Sequence, residues 1–375
     1  MSKIFLVGDT HLGLGWPNSV AKWYKVAQDY FENFFFPLLD KEFKEGDIIV
    51  HLGDLFDNRN VVPIDILNYG LKIVEKMATY GPTHIIVGNH DMWTKSLSEI
   101  NTVRLYKYVP NVHIYEKPTK YEWNGKSILF MPYIEKKKDQ VEVLKEYSGC
   151  DYLFCHSDLN GAKMHLTSVA HKNNDKIDVE EFGGYKLVRS GHIHLVQQHS
   201  NFTFVGSIFE MDRNDYGNQK GIFVLDTKDD SEVFHKNNHS PRFKKYSILK
   251  EDDIDGLDNL NMNDYIDLSI SNSLLMNNRK LRRKLEVALE KGKFESVEYI
   301  DDIVEEGEQI NESVTTEEET EEDIKLNMSS TLDFKEIIFD YVEGRKYDTT
   351  KIKNGVVSEL NTILDIHREN YAGKK

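Results

Sequence analysis

Up to about residue 236 the chain alternates short runs rich in β-branched and aromatic residues with stretches whose apolar positions recur at helical spacing. That alternation predicts an α/β domain around a largely buried sheet. Strands are predicted at Lys3–Val7, Asp47–Leu52, His84–Val87, Ser127–Met131, Asp151–Cys155, Leu187–Arg189, Phe202–Val205 and Gly221–Leu225. Between them Val20, Trp23, Tyr24, Ala27, Phe31, Phe34, Phe35 and Leu38 trace one helical face. Leu67, Leu71, Val74 and Met77 trace a second, stopped by Gly81-Pro82. These stripes are read as core or dimer-interface faces rather than cofactor boxes.

From about Tyr246 to Ile300 the pattern predicts a smaller unit, a strand at Tyr265–Ile270 followed by a helix carrying Leu281, Leu285, Ala288 and Leu289. The text from Asp301 to Asp323 has 12 acidic residues and no Lys or Arg. It is too polar to bury a core and reads as a flexible linker. Two amphipathic helices follow, one built on Phe334, Ile337, Ile338, Tyr341 and Val342, the other on Ile352, Val356, Leu360, Ile363, Leu364 and His367. No internal repeat is evident.

Composition changes this picture little. A chain of 375 residues suits one large domain plus an appendage, and 39% hydrophobic with 29% charged residues is ordinary for a soluble protein. The acidic run accounts for most of the net charge of −16, so the rest is close to neutral and neither favours nor excludes nucleic acid. No apolar run approaches the length of a membrane span, and Met1-Ser2-Lys3 opens no signal-peptide pattern. Cys150 and Cys155 read as buried thiols of a reducing compartment, which points to the cytoplasm.

The candidate chemistry lies in five polar clusters at or just beyond predicted strand ends: Gly8-Asp9-Thr10-His11, Gly53-Asp54-Leu55-Phe56-Asp57, Gly88-Asn89-His90-Asp91, Cys155-His156-Ser157 and Gly191-His192-Ile193-His194. In an open α/β sheet, loops at strand carboxyl ends converge on one crevice. Two divalent cations roughly 3.5–4 Å apart need a carboxylate that can bridge them and further ligands on each. Carboxylate, imidazole and amide oxygen favour Mn or Fe, with Mg and Zn also compatible. An Asp-x-His or a lone His156 carries little by itself; five such clusters in this order carry much more.

The five clusters resemble the calcineurin-like metallophosphoesterase superfamily over about residues 1–236, and within it the SbcD branch, the nuclease subunit of a double-strand-break repair complex, in its tailed-phage form. Gly88-Asn89-His90-Asp91, Val205-Gly206-Ser207 (where that branch has Pro first) and Lys220-Gly221-Ile222-Phe223 carry the branch resemblance. It implies a two-sheet sandwich flanked by helices, with a nuclease domain at 1–240 and a small α+β capping domain at 245–300. A linker at 301–325 and partner-binding helices at 326–375 complete the expected organisation.

By position, Asp9, His11 and His194 would hold one metal and Asn89, His156 and His192 the other, with Asp54 bridging. His90 would face the scissile phosphate, and Asp57, where some relatives have His, would orient a ligand. The implied activity is Mn-dependent double-strand exonuclease and single-strand endonuclease action in repair, recombination or replication. The implied protein is a homodimer acting on DNA ends with an SbcC-type coiled-coil ATPase, in the host cytoplasm if phage-encoded. Phe334, Ile338, Leu360 and Leu364 would grip that partner. Arg279, Lys280, Arg282, Arg283 and Lys284 form the densest basic cluster, either a DNA-tracking face or a plain solvated one. A small-substrate phosphodiesterase and a catalytically idle scaffold are the competing readings.

Overall fold

The computed structural model describes residues 2–15, 19–94, 96, 98–170, 173–261, 263–290 and 294–300. All belong to one compact unit, Met1–Ile303. The acidic run and the two amphipathic helices expected after it, with Phe334, Ile338, Leu360 and Leu364, lie outside the described residues.

The chain first lays down four parallel strands, β1 (Lys3–Val7), β2 (Ile48–His51), β3 (Thr83–Ile86) and β4 (Val112–Tyr115). It then builds a second sheet from β5 (Thr119–Trp123), β6 (Lys126–Met131), β7 (Tyr152–His156), β8 (Leu187–Gly191), β9 (Gln197–His199) and β10 (Phe202–Phe204). It returns with β11 (Gly221–Asp226) and β12 (Ser231–Lys236), which close the first sheet in the order β12-β11-β1-β2-β3-β4. The second sheet runs β5-β6-β7-β8-β10-β9.

Strand side chains alternate between faces, and here both faces are covered, so the strands read as continuous apolar runs. Ile4, Leu6, Ile48, Val50, Ile128, Phe130, Tyr152 and Phe154 meet between the sheets. Their neighbours Phe5, Val7 and Ile49 pack outward against α1 (Val20–Tyr30), α2 (Phe36–Glu42) and α3 (Ile64–Tyr80). Leu129, Leu153 and Cys155 pack outward on the other side with Leu144 of α4 (Lys137–Glu146). The result is the expected two-sheet sandwich, and the free, buried Cys150 and Cys155 belong to its core.

Between α1 and α2, Phe31–Phe35 form a π-helical turn closed by the Phe36 N–H on the Phe31 carbonyl. Pro37 has no N–H to continue the regular ladder, and the wider turn aligns residues five apart. Phe31, Phe35 and Phe36 are thereby all buried, with the Phe31 and Phe36 rings 5.8 Å apart. Helical spacing alone predicted one uninterrupted helix. In α3 the buried face is Ile66, Tyr69, Ile73, Val74 and Met77, while Leu67 and Leu71 lie on its margin.

A three-stranded parallel sheet, β13 (Phe243–Ile248), β14 (Tyr265–Ser271) and β15 (Phe294–Ile300), forms the smaller unit with α5 (Asn272–Asn277) and α6 (Arg279–Glu290). Ile248, Ile254, Leu257, Leu268, Ile270, Leu281 and Leu285 give it a core of its own. It is tied to the sandwich where Trp23 stacks on Phe209 at 5.9 Å and meets Tyr265 at 5.6 Å, and where the buried Glu210 carboxylate accepts the Phe243 N–H at 2.6 Å.

Candidate metal centre

All five polar clusters leave the carboxyl ends of β1, β2, β3, β7 and β8; side chains from four of them line a cavity of about 350 Å³, and His156 of the fifth is buried against Asp54 and Asn89. Close approach is what their glycines permit: a Cβ on Gly88 would lie 2.2 Å from an Asp54 carboxylate oxygen, and one on Gly8 would lie 1.8 Å from the Gly206 carbonyl. Three side-chain-bearing residues of the site, His11 (φ 42°), Asp54 (φ 53°) and His192 (φ 85°), also adopt left-handed backbone. Such conformations cost energy and persist where surrounding structure enforces them, typically at functional sites.

Asp54 sits at the middle and is almost wholly buried. On one side its Oδ2 is 3.2 Å from His156 Nε2, and that nitrogen is 2.9 Å from Asn89 Oδ1. The same Asn89 oxygen is 2.7 Å from His192 Nδ1. On the other side Asp54 Oδ2 is 3.7 Å from His11 Nε2, which in turn is 3.1 Å from His194 Nε2. Asp9, fully buried, accepts the His192 N–H at 3.1 Å on both oxygens and lies 3.6 Å from His156 Nδ1. All seven residues expected as metal ligands therefore come together.

The other ring nitrogens have partners that set their protons. His156 Nδ1 donates to the Leu52 carbonyl at 2.7 Å, leaving Nε2 to face Asp54 and Asn89. His11 Nδ1 meets the Asp57 carboxylate at 3.1 Å, leaving Nε2 to face His194. His90, half-buried, donates from Nδ1 to the Asp57 carbonyl at 2.6 Å, while its own N–H is given to Asp54 Oδ1 at 2.7 Å. His90 lines the cavity, and its ring meets that of His11 edge-on at 4.8 Å.

The donor set fits divalent cations. Imidazole nitrogens, carboxylates and an amide oxygen converge in two groups that share Asp54, and among the described residues no Lys or Arg lines the cavity. Burial opposes charge on His11, but Asp57, Asp54 and Asp9 push its pKa up to about 9. Burial opposes charge on His156 likewise, and Asp54 and Asp9 push it up to about 9. Burial works against ionising Asp54, yet His156 and His11 hold it far below the carboxylate range. The carboxylates thus pull positive charge into the pocket, the electrostatic demand that a metal ion meets.

Several supporting residues went unassigned at the level of sequence. Asp91, raised to about 7 by burial and then by the Asp54 charge, accepts N–H groups from Gly88 at 3.0 Å and Phe56 at 3.2 Å and so joins two of the loops. Buried His51 contacts Thr10 Oγ1 at 3.2 Å. Lys220 Nζ, also buried, donates to the His194 carbonyl at 2.8 Å, to Ser207 at 2.7 Å and to Asp215 at 2.6 Å. Asp158 contacts His192 Nε2 at 3.0 Å. Asp91 stood inside a quoted cluster and Asp158 beside one, but only contacts across loops reveal what they touch.

The basic cluster lies on α6, with Leu281 and Leu285 buried on its other face. Lys280 pairs with Asp255 at 2.9 Å, Lys284 with Asp258 at 2.6 Å, and Arg282 donates to the Leu275 carbonyl at 2.8 Å. Arg279 and Arg283 are exposed and have no ion-pair partner among the described residues.

Residues 2–221 match the family model described as calcineurin-like phosphoesterase. The chain is 28% identical over 243 residues to Exonuclease subunit 1 of Enterobacteria phage T4, covering 63% of this chain and 68% of that protein. It is 28% identical over 208 residues to a phosphoesterase-named protein, 078R, of Invertebrate iridescent virus 3, covering 53% of this chain and 57% of the viral one. Over 89 residues it is 35% identical to the DNA double-strand break repair protein Mre11 of Methanosarcina acetivorans, covering 24% of this chain and 14% of that protein.

Proposed function

Because the chain belongs to the calcineurin-like phosphoesterase family, we propose that it is a DNA nuclease subunit that hydrolyses phosphodiester bonds with two divalent ions, Mn2+ foremost. The observation that carries this reading is the sharing of one buried carboxylate, Asp54, between two groups of donors: Asn89, His156 and His192 on one side, His11 and His194 on the other. In this reading His11, His194 and Asp9 would hold one ion and Asn89, His156 and His192 the other, with Asp54 available to both.

When bound, the ions supply Lewis acidity toward a phosphate and lower the pKa of water toward neutrality. The rest falls to the protein. Asp57 orients the His11 ring through Nδ1, and its carbonyl orients His90. Burial, and then the His11 charge, lower the pKa of His90. His90 faces the scissile phosphate, where it stabilises charge or protonates the leaving oxygen.

DNA as substrate is supported by the exonuclease name of the phage relative and the DNA-repair name of the archaeal one. Arg279 and Arg283 are the α6 side chains best placed to meet phosphates. The smaller unit, in this reading, caps the nuclease domain. The homodimer and the SbcC-type ATPase, gripped through residues 326–375, belong to the same proposal.

The test is a Mn2+-dependent cleavage assay on linear duplex, single strands and a small phosphodiester, with chelator controls. Metal-dependent cleavage of DNA is the expected result. Hydrolysis of the small phosphodiester alone would overturn the DNA assignment, and no hydrolysis of any substrate would overturn the enzymatic one.

A further inference from the structure

Three imidazoles of the centre have a partner behind them: Asp57 for His11, the Leu52 carbonyl for His156 and, for His192, the Asp158 carboxylate. The first two rings are buried and held by packing. His192 is more open, with 18% of its side chain exposed, and stands on left-handed backbone. Its orientation therefore depends more on contacts than on enclosure. Nδ1 is 2.7 Å from Asn89 Oδ1, and Nε2 is 3.0 Å from Asp158 Oδ1.

Resting on the ligand assignment above, we infer that Asp158 is a positioning residue for the ion shared by Asn89, His156 and His192. A neutral imidazole carries one proton. With Asp158 accepting it at Nε2, Nδ1 keeps its lone pair toward the cavity; without Asp158, the proton is free to sit on Nδ1 and block it. A carboxylate on the far nitrogen also raises the basicity of the near one, and outer partners of this kind are typically worth about 10–100-fold in metal affinity.

Topology explains how Asp158 arrives there. Strands β7 and β8 pair in parallel with His156 opposite Gly191, so the residues just past one strand end lie beside those just past the other. The strand that delivers one proposed ligand thus also delivers the support of another. Asp158 stands behind His192, outside the residues that line the cavity. Its Oδ2 is held by Lys176, and the loop carrying both is pinned by Asn160, which donates to Asp178 at 2.7 Å and whose N–H meets the Ile177 carbonyl at 2.7 Å.

Two substitutions in the full chain separate positioning from a structural tie. Asp158→Asn keeps shape and an acceptor oxygen but removes the charge, whereas Lys176→Met removes the other half of the ion pair and leaves the carboxylate on His192. Mn2+ would be titrated by calorimetry, with circular dichroism of the metal-free proteins as a fold control. The wild type should take up two equivalents. Asp158→Asn should weaken one of them by about 10–100-fold and spare the other, and Lys176→Met should leave both at wild-type affinity. Should Asp158→Asn fail to fold, Asp158→Glu, which shifts the carboxylate by one methylene, carries the same prediction. Two wild-type affinities in Asp158→Asn, or equal losses in both variants, would overturn the inference while leaving the metal centre intact. A wild type that binds no metal would overturn both.

Discussion

At Asp54 and His90 one hydrogen bond joins two residues with different expected tasks, since the His90 N–H donates to the Asp54 carboxylate at 2.7 Å while the His90 ring turns to Asp57. If Asp54 bridges both ions, Asp54→Ala should lose metal and activity together. His90→Gln should keep both ions and the fold while losing on the order of 10²–10⁴-fold in turnover, the usual contribution of a positioned acid or charge-stabilising group. Metal content and turnover measured on the same preparations separate the two. Loss of one metal equivalent in His90→Gln would make His90 a ligand, and near-normal turnover would remove it from the mechanism. The identities of these residues were legible in the sequence because their motifs pair unusual residue types at short spacing. The partners Asp158 and Lys220 were not, because each acts on a residue that another strand brings to it.

Helix α6 shows how a helix divides its faces. Leu281 and Leu285 point into the small core, Lys280 and Lys284 are drawn to Asp255 and Asp258, and Arg279 and Arg283 stay unpaired among the described residues. If this face tracks DNA, Arg279→Glu with Arg283→Glu should weaken duplex binding and flatten its salt dependence. The slope of log K against log salt should fall by roughly 0.9 for each phosphate that the helix no longer neutralises. An unchanged slope would leave α6 a solvated surface.

Strand β13 offers a pH probe. Burial pushes Glu210, which accepts the Phe243 N–H, from an ordinary 4.5 up to about 7. The folded protein then retains a proton that the unfolded chain releases above 4.5, so this group's contribution to stability falls as pH rises from about 4.5 to about 7. Glu210→Gln should therefore gain stability relative to wild type across that window and hold the gain above it. Denaturant titrations at pH 4, 5.5 and 7.5 would show it, and a constant difference would exclude the buried carboxyl as its source.

Across the whole molecule charge is unevenly placed: the net −16 resides largely in the acidic run between Asp301 and Asp323, ahead of the amphipathic stripes at 334–367. No helix among the described residues is long and apolar enough to cross a membrane. If the stripes dock the proposed ATPase, deleting residues 326–375 should abolish its binding and leave Mn2+-dependent cleavage of single strands, because Met1–Ile303 is a compact unit with its own cores. Co-elution with the ATPase and single-strand cleavage would both be measured. A truncated chain that unfolds would mean that these residues belong to the body.

The sequence by itself determined the α/β class, the inner strands and the candidate members of the centre. Strands covered on both faces must be apolar throughout, and metal-compatible residues at their ends have few ordinary explanations. Edge strands β4, β5, β9, β12, β13 and β15 escaped, since a half-exposed strand tolerates residues that also suit loops, as in the exposed and intermediate positions of Thr119–Trp123. Tertiary structure alone decided the π turn at Phe31–Phe35, which answers to a shared aromatic core, and the pairing of β7 with β8. That pairing sets Asp158 beside His192, a juxtaposition created by parallel register between residues more than thirty positions apart.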